Sequence, residues 1–460
     1  MVFSSQLFLC IFFPLVLILY NLSKNITYKN VILVISSLVF YAWGEPVWVL
    51  LLLFSSITDY AFGLIIEKNQ GKVGAKLALL ASLCLNLGIL MTFKYADFFI
   101  DNINVLFKTN ISSPGFSLPL GISFYTFQTL SYTIDMYRGN VKVQKSLLSF
   151  MCYVTMFPQL VAGPIVRYSD IARQLRRRKT NATMFAEGAK RFVCGLCKKV
   201  VLANSVGEIA SMLLSTAIPT TMSSWIGLMM YSFQIYFDFS GYSDMAIGLG
   251  KMLGFKFLEN FRYPYTCRSI TSFWRRWHIS LGSFFRDYVY IPLGGNRKRA
   301  VLNIFIVWFL TGFWHGASWN FIFWGLYYGL LLFIEKYILK FLKHDIPILG
   351  NIYTLFAVVI GWAIFYYTDM SQLGQFFCYA FGQGCDLYDL TTISVLCENF
   401  VLIAVCIIAC TPIPKRTYDF VCCFKPISII LEPLLLVAGF ALSFTMLIGQ
   451  SYNPFLYFRF

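Results

Sequence analysis

The sequence predicts an all-α polytopic membrane protein, and three observations support this prediction. Apolar residues make up 58% of the 460 residues, and the mean hydropathy is +0.67. Charged residues make up only 13%, against roughly 25% in ordinary soluble domains. Many apolar residues are gathered into windows of roughly 17 residues or more, long enough to cross the hydrocarbon core as helices. The same composition excludes intrinsic disorder, collagen-like repeats and a small disulfide-rich secreted domain.

Seven stretches are candidates for membrane-spanning helices. They are residues 6–22, 31–44, 47–66, 77–93, 346–368, 399–414 and 433–458. A further run, 300–334, would be about 52 Å long as a single helix, well beyond the ~30 Å hydrocarbon core. We therefore expect two spans there, or one helix broken near Gly312 and Gly316. Gly44-Glu45-Pro46 is a natural turn between the second and third candidates.

Two uncharged segments make poor membrane-spanning helices. Residues 116–134 carry Pro119-Leu120-Gly121 near their start, and residues 147–166 carry Pro158, Gly163 and Pro164. Proline removes a backbone donor and breaks a helix, so both segments are predicted to be broken or re-entrant. Irregular backbone at membrane depth is tolerated only inside protein or beside a water-filled cavity. These segments therefore indicate a cavity within the membrane domain.

The charge distribution predicts the topology. The formal net charge is +16, yet residues 344–414 contain no Lys or Arg. The positive-inside rule predicts that the basic connections are cytoplasmic and that 369–390 and the N-terminus lie outside. The first span lacks a basic n-region and a cleavage site, so we expect an uncleaved helix. Because the basic residues lie between lipid-soluble spans, we predict no nucleic-acid binding.

The thirteen cysteines are mostly predicted to be small hydrophobic residues within apolar spans. Cys194 and Cys197 form a Cys-x-x-Cys pair without a second pair nearby, so we predict no metal site. Cys378 and Cys385 lie in the predicted outer stretch and could form a disulfide. Cys267 could carry an acyl thioester, although a neutral filler is the simpler interpretation.

His315 is the only ionisable side chain in the run 300–334. An ionisable group at membrane depth is costly and is therefore a functional candidate by default. Burial would keep the imidazole neutral, which is the form that a general base needs. The alternative is a structural histidine bonded to a carbonyl of a neighbouring helix, and both interpretations stay open. His344, between Lys343 and Asp345, occupies an ordinary interfacial position.

His278 follows an aromatic and basic stretch, Phe273-Trp-Arg-Arg-Trp-His278. Amphipathic segments of this kind lie in the membrane interface, so one interpretation is an anchor. The other is that Arg275, Arg276 and Arg286 face an anionic substrate from the cytoplasm together with His278. Arginine suits that task because its bidentate fork matches phosphate.

Asp238 and Asp244 follow another uncharged run, residues 209–237. Either could form a structural ion pair with an arginine of the 262–299 segment or hydrogen-bond a histidine, and both roles stay open. The sequence contains no Gly-rich phosphate loop, no Walker motif, no Gly-x-Ser-x-Gly elbow and no His-Glu-x-x-His zinc motif. A histidine without a metal or cofactor motif, with basic residues close to it in the sequence, is typical of group transfer onto a hydroxyl. The histidine deprotonates the acceptor, and binding brings the two reactants together.

Six motifs follow one another in a single order between about residues 119 and 325. They are Pro119-Leu-Gly-Ile-Ser-Phe-Tyr-Thr-Phe-Gln128, Phe157-Pro-Gln-Leu-Val-Ala-Gly-Pro164, Asp238-Phe-Ser-Gly-Tyr-Ser-Asp244, Phe273-Trp-Arg-Arg-Trp-His278, Arg286-Asp-Tyr-Val-Tyr-Ile-Pro-Leu-Gly-Gly-Asn-Arg297 and Trp314-His-Gly-Ala-Ser-Trp-Asn320. As a set they resemble the membrane-bound O-acyltransferase (MBOAT) superfamily, in its alginate O-acetylation branch. The last part of the chain carries little that matches.

The resemblance implies a ring of roughly 11–13 tilted transmembrane helices, with re-entrant and interfacial helices, around a central tunnel. No soluble domain or long linker is evident, so we expect one integral-membrane domain over residues 1–460. Its predicted parts are N-terminal spans in 1–110, a catalytic core in 111–335 and C-terminal spans in 336–460.

The resemblance also implies site residues, a donor and a partner. The family's near-invariant histidine maps onto His315, and its second functional histidine maps onto His278. The candidate donor-binding and tunnel residues are Arg275, Arg276, Arg286, Trp274, Trp314, Asn320, Asp238 and Asp244. The expected acyl donor is cytoplasmic acetyl-CoA, with no bound cofactor. Membrane lipid and an exoplasmic acetyltransferase of the SGNH-hydrolase type are the expected partners.

The expected function is acetyl transfer across a bacterial plasma membrane for O-acetylation of an extracellular polysaccharide or cell-wall glycan. One alternative is D-alanyl transfer to teichoic acid from a carrier protein; Arg275-Arg276 and the Pro-Leu-Gly-Gly motif favour acetylation. Another is a transporter or flippase without acyl chemistry. A transporter is expected to show paired repeats, and the sequence shows none by inspection.

The charge asymmetry predicts opposite accessibility for two loops. In intact cells that express a variant without native thiols, a membrane-impermeant reagent should label a cysteine at Gln383 and spare one at Thr180. Mass-tag detection on a gel measures both. Labelling of the Thr180 probe with protection of the Gln383 probe would reverse the assignment.

Overall fold

The computed structural model describes residues 1–339, 347–449 and 455–456. His344, residue 346 of the predicted span 346–368, and residues 450–454 and 457–458 of the predicted span 433–458 lie outside the described residues. The helices, in chain order, are α1 (Phe13–Asn21), α2 (Ile26–Ala42), α3 (Val49–Lys68), α4 (Val73–Phe107), α5 (Ile122–Tyr137), α6 (Leu147–Thr155), α7 (Phe157–Leu160), α8 (Tyr168–Arg176), α9 (Ala182–Cys197), α10 (Ser205–Leu214), α11 (Thr221–Met252), α12 (Ile270–Trp274), α13 (Ile279–Phe285), α14 (Ala300–His315), α15 (Trp319–Tyr337), α16 (Pro347–Tyr366), α17 (Met370–Ala380), α18 (Leu390–Glu398), α19 (Phe400–Ala409), α20 (Ile413–Cys422) and α21 (Lys425–Gly449). Short π-helical turns occur at Phe8–Phe12, Lys198–Asn204 and Arg286–Tyr290, and a 3₁₀ turn at Pro264–Thr266.

The described residues contain helices and no β-strand. Within the described part of the chain, four helices are long and apolar enough to cross a membrane: α3, α4, α16 and the part of α21 from Ile429 to Gly449. The count is five if α18 and α19, which are bent by 62° at their break, form one span. Three shorter apolar helices are Phe8–Asn21, α2 and α14. The predicted all-helical polytopic class is confirmed, whereas the predicted 11–13 spans stay a prediction.

The chain divides into two compact units. The first comprises Met1–Phe192 and Ser243–Leu258, and the second comprises Val193–Tyr242 and Glu259–Phe460. The long helices α9 and α11 therefore contribute residues to both units. The predicted single membrane domain with its three parts stays a prediction.

In the first unit, a buried polar cluster connects α3, α4 and α5. The Asp59 carboxylate accepts hydrogen bonds from the Ser82 hydroxyl at 2.6 Å and from the Asn86 amide at 2.8 Å. Thr129 of α5 donates to the Asn86 Oδ1 atom at 3.2 Å. All four side chains are buried. Inside an apolar helix bundle such bonds hold helices together, because lipid offers polar groups no other partner.

Both segments predicted to be broken are broken. Helix α5 begins only after Gly121, which adopts a left-handed conformation at φ +75°. Helix α6 ends at Thr155, and the one-turn helix α7 follows before Val161. The irregular backbone is satisfied by protein, because residues 150–166 are buried and Ser37 accepts a hydrogen bond from the Phe157 N–H group.

In the second unit, α14 and α15 form a tight hairpin, as the length of the run 300–334 predicted. The break lies at Gly316, after which α15 begins at Trp319. A Cβ atom on Gly312 would overlap the Phe321 carbonyl oxygen, and one on Gly325 would overlap the Trp308 carbonyl oxygen. Glycine at both positions therefore lets the two helix backbones touch.

Cys378 and Cys385 are free thiols in this structure, so the disulfide considered from the sequence is not formed. The Cys385 thiol instead lies 3.4 Å from the Tyr379 carbonyl oxygen and 3.6 Å from the Thr221 hydroxyl. Local polar contacts of Cys385 take the place of the cross-link.

Gly325→Ala should destabilise the second unit by about 1–3 kcal/mol, because the added methyl group overpacks the hairpin. Gly88→Ala is the matched control, since Gly88 is helical and a Cβ atom added there would have no neighbour within 4 Å. Thermal unfolding in detergent compares both variants with the wild type. Equal melting temperatures for the two variants would contradict the close contact.

Candidate functional site

His315 is the last residue of α14 and is only 7% exposed. Its ring lies edge-on to Trp324, Phe365 and Trp314, with centroid distances of 5.0, 5.4 and 5.0 Å. The cavity beside it is lined by Ile235, Asp238, Phe239, Trp277, Trp324, Trp362, Phe365 and Leu456. One ionisable imidazole therefore lies in a nearly complete aromatic enclosure.

The cavity at His315 is narrow. The centres of water-sized spheres can occupy only about 20 Å³ of it, which is enough for about one water molecule. Such a narrow site, lined mostly by aromatic and aliphatic side chains, has a low dielectric that strengthens any electrostatic contact made inside it. A reactant reaching His315 therefore meets few competing water molecules.

His278 is buried and adopts a left-handed backbone conformation, with φ +43° and ψ +54°. Its Nδ1 atom lies 3.1 Å from the Asn260 Oδ1 atom. The same Oδ1 atom accepts from the Ser280 N–H group and, at 2.9 Å, from the Ser280 hydroxyl, which identifies it as the oxygen. Since an amide oxygen only accepts, we assign the proton to Nδ1 and the lone pair to Nε2.

Burial lowers the pKa of His278 to about 3, because desolvation disfavours the charged imidazolium. The ring is therefore neutral throughout the physiological range. A non-glycine residue in a left-handed conformation is uncommon and clusters at functional sites. Tautomer, charge state and backbone conformation together fix the direction in which Nε2 can act.

The structure brings the two predicted histidines to one aromatic wall, which is formed by Trp314 and Phe239. Trp314 lies 6.1 Å from His278 and 5.0 Å from His315, measured between ring centroids. Phe239 packs edge-on against His278 at 4.7 Å and also lines the cavity at His315. The two imidazoles are therefore neighbours across single aromatic residues.

Asp238 forms a buried ion pair with Lys199, with 2.7 Å between Lys199 Nζ and the Asp238 Oδ1 atom and side chains 3% exposed. The other carboxylate oxygen accepts from the Leu456 N–H group at 2.9 Å. Lys199 is not recognisable from the sequence as the partner of Asp238. Its sequence signal is faint: a second lysine immediately before the apolar stretch Val200-Val-Leu-Ala203.

Asp244 has a different environment from Asp238. In the first unit it accepts two hydrogen bonds from the Arg191 guanidinium, at 2.8 and 3.1 Å. An ion pair was one of the two interpretations of the sequence, but its partner is Arg191 and not an arginine of the 262–299 segment. Its candidacy as a tunnel residue stays a prediction.

The arginines of the basic stretch are on the surface. Arg275 and Arg276 are exposed at the end of α12, and Arg276 also lies 3.4 Å from the Thr266 hydroxyl. Arg286 is exposed and pairs with the adjacent Asp287 at 2.6 Å. Arg275 and Arg276 are thus not enclosed by the protein.

Trp274 and Asn320 hold together the helices that surround His315. Trp274 packs edge-on against Trp308 and Tyr328 at 4.7 and 4.8 Å. Asn320 is fully buried, and its amide donates to the carbonyl oxygens of residues 364 and 365, each at 3.2 Å. Asn320 thereby holds the end of α16, which carries Phe365, against the start of α15.

Cys267 is buried in the core of the second unit, and burial raises the pKa of its thiol. A raised pKa leaves little thiolate, which is the nucleophilic form. These facts favour the neutral filler over a thioester carrier.

The fold defines a class of protein, a polytopic membrane protein, and its site brings two buried histidines close to one tryptophan. The family described as MBOAT, membrane-bound O-acyltransferase family, matches residues 141–371. The chain belongs to this family of acyltransferases.

Curated relatives agree with this assignment. The chain is 37% identical to a probable alginate O-acetylase of Pseudomonas putida over 100% of both chains. It is 36% identical to a peptidoglycan O-acetyltransferase of Helicobacter pylori, over 73% of this chain and 70% of the relative. A teichoic acid D-alanyltransferase of Bacillus subtilis is more distant, with 30% identity over 54% of this chain and 68% of the relative.

The lowered pKa of His278 predicts a pH-dependent stability. The unfolded histidine binds a proton below about pH 6.5, whereas the folded one does so only near pH 3, so His278 destabilises the fold increasingly as the pH falls through this window. His278→Asn, a residue that tolerates left-handed backbone, should lose less stability between pH 7.5 and 5 than the wild type. Thermal unfolding at each pH measures the difference. Parallel losses in the two proteins would contradict the buried neutral histidine.

Proposed function

We propose that this chain is a membrane O-acetyltransferase that moves an acetyl group from a cytoplasmic donor to an extracellular polysaccharide or cell-wall glycan. The observation that supports this most directly is that two histidines share one aromatic neighbour. His315, in its narrow aromatic cavity, and His278 both pack against Trp314. Relatives named for O-acetylation of alginate and of peptidoglycan support the same reaction.

The proposed chemistry needs one base and one electrophile. His315 takes the proton of the acceptor hydroxyl as its oxygen attacks the acetyl carbonyl carbon. An ester C–O bond forms, the thioester C–S bond breaks, and the leaving thiolate receives the proton from the imidazole. The dry cavity keeps water from competing as acceptor. His278 is neutral and held in one tautomer. Its ring positions Trp314 and Phe239 beside the reacting groups.

Acetyl-CoA is the proposed donor. Its phosphates require cationic partners, and the exposed Arg275 and Arg276 provide them at the end of α12. Arg286 already pairs with Asp287, so its share in binding phosphate is smaller. No bound cofactor is needed for this transfer.

The alternatives are less well supported. D-alanyl transfer draws on a relative that matches only 54% of this chain, whereas the alginate O-acetylase of Pseudomonas putida matches all of it. A transporter without chemistry disagrees with membership in an acyltransferase family.

The proposed setting is a bacterial plasma membrane with the N-terminus outside, as the distribution of basic residues indicates. An exoplasmic acetyltransferase of the SGNH-hydrolase type is the proposed partner that completes transfer onto the glycan. Membrane lipid surrounds the chain, as expected for a multi-pass protein of this family.

His315→Ala should reduce acetyl transfer by about 10²–10⁴-fold, the usual contribution of a general base. His315→Gln should be nearly as inactive, because glutamine keeps a hydrogen-bonding side chain but takes no proton at neutral pH. The measurement is glycan acetylation in cells, normalised to the amount of protein in the membrane.

Leu302→Ala is the matched control, since Leu302 is on the exposed side of the same helix. It should retain activity, and both His315 variants should reach the membrane in normal amounts. Activity of His315→Gln within threefold of the wild type would show that His315 is structural and would shift the base to His278.

A further inference from the structure

A cavity of about 940 Å³ lies in the first unit. It is bounded by the ends of α3 and α5, the segment 139–146 after α5, the start of α6 and the last residue of α8. This volume falls within the range of sites that bind small organic ligands. None of its described lining residues takes part in the proposed reaction.

Three cationic side chains line this space, which is named the basic cavity after them: Lys142, Lys145 and Arg176. Among the described residues, no hydrogen bond or ion pair involves the amino group of either lysine. Arg176 contacts the Val143 carbonyl oxygen at 3.5 Å and the Tyr168 hydroxyl. A guanidinium has five N–H groups, so these contacts leave donors for another acceptor. The basic cavity therefore holds cations that are available to an anion.

The remaining polar side chains of the lining suit hydroxyl groups. Glu67 is the one carboxylate among the described lining residues, so the three cations leave that lining with a net positive charge. Gln70, Ser146 and Ser149 add amide and hydroxyl groups, which both donate and accept. Lysine and arginine are the side chains that bind phosphate in proteins. The set matches a ligand that carries one phosphate together with hydroxyl groups.

The segment that carries the two lysines is held in place from several sides. The Gln144 side chain is buried, and its amide donates to the Tyr168 hydroxyl of α8 at 3.2 Å. The Gln144 N–H group donates to the Tyr132 hydroxyl of α5 at 3.2 Å. The Tyr60 hydroxyl of α3 donates to the Lys145 carbonyl oxygen at 2.8 Å. Backbone that is fixed before binding loses less entropy when a ligand arrives.

The residues next to the lining in the chain are apolar and exposed. Leu64 and Ile65, one turn before the end of α3, are 37% and 43% exposed, and Leu147, directly after Ser146, is 41% exposed. Helix α3 is long and apolar enough to cross a membrane, so its end lies where the hydrocarbon core meets the headgroups. A polar cavity with exposed apolar residues beside it fits a headgroup and its acyl chains better than a free phosphate compound.

The charge distribution predicts on which side of the membrane this cavity opens. Helix α3 ends at Lys68, and the basic connection 68–76 that follows is predicted to be cytoplasmic. Anionic lipids give the cytoplasmic leaflet a negative surface potential, which attracts lysine and arginine. The ligand that the lining fits is therefore available at the level of the cavity.

We propose that the basic cavity binds the headgroup of an anionic phospholipid of the cytoplasmic leaflet. Lys142, Lys145 and Arg176 surround the phosphate, and the glycerol hydroxyls of the headgroup bond to Glu67 and the neighbouring amides and hydroxyls. The acyl chains lie along the apolar residues at the end of α3 and the start of α6. This inference goes beyond acetyl transfer and does not depend on it.

The test is lipid binding to the full chain purified in detergent, measured by native mass spectrometry as the dissociation constant of the first bound molecule. Palmitoyl-oleoyl phosphatidylglycerol is the anionic probe. Palmitoyl-oleoyl phosphatidylcholine has the same chains and phosphate but no net charge, and glycerophosphoglycerol has the anionic headgroup without chains. The wild type should bind phosphatidylglycerol at least about tenfold more tightly than either of the other two.

Lys142→Gln with Lys145→Gln should weaken phosphatidylglycerol binding at least about tenfold, because two charges that face the phosphate are lost. Lys142→Arg with Lys145→Arg keeps both charges and should bind as the wild type does. Lys24→Gln with Lys179→Gln is the matched control. Both of these lysines are exposed in the first unit and do not line the cavity. The control pair loses the same charge and should bind phosphatidylglycerol normally.

Four results would overturn the proposal. The glutamine pair at 142 and 145 could bind phosphatidylglycerol as the wild type does, or the control pair could lose as much binding, which would indicate general surface charge. Phosphatidylcholine could bind as tightly as phosphatidylglycerol. Glycerophosphoglycerol could bind as tightly as the lipid, which would indicate a site for a soluble phosphate compound. Melting temperatures without added lipid should be equal for all variants, since the substituted lysines are exposed.

Discussion

The backbone contact between α14 and α15 is the constraint on which the site depends. Gly312 and Gly325 let the two helices touch, and this contact places His315, at the end of one helix, against Trp324 of the other. A side chain larger than hydrogen at either glycine would push the helices apart. The aromatic enclosure would then open, and the low dielectric that strengthens charge contacts at His315 would be lost.

A buried ion pair forms the other side of this enclosure. The desolvation of Lys199 and Asp238 is costly, and it is offset only because the pair is close and the carboxylate also accepts from the Leu456 N–H group. Removing either partner would leave an uncompensated buried charge. The pair therefore fixes where Leu456 lies, which is in the lining of the cavity at His315.

The two histidines are prepared in different ways. His278 is held by Asn260 in one tautomer and in a left-handed backbone conformation, so its Nε2 direction is set before any substrate arrives. His315 is enclosed by aromatic rings, which constrain its position. Two positioned imidazoles beside a common tryptophan match the proposed reaction, in which a proton moves from acceptor to leaving group.

The sequence by itself determined the membrane class and the break in the run 300–334, because hydropathy is a local property. It also singled out His315, as the lone ionisable residue at membrane depth, and His278, through its aromatic and basic motif. Their catalytic roles stay predictions. Only the tertiary structure separated Asp238 from Asp244: the first pairs with Lys199 near His315, and the second pairs with Arg191 in the other unit. Six residues of sequence carry no information about which distant cation each carboxylate meets. Lys199 and the basic cavity escaped the sequence for the same reason, since contacts made across helices depend on packing and leave no local pattern.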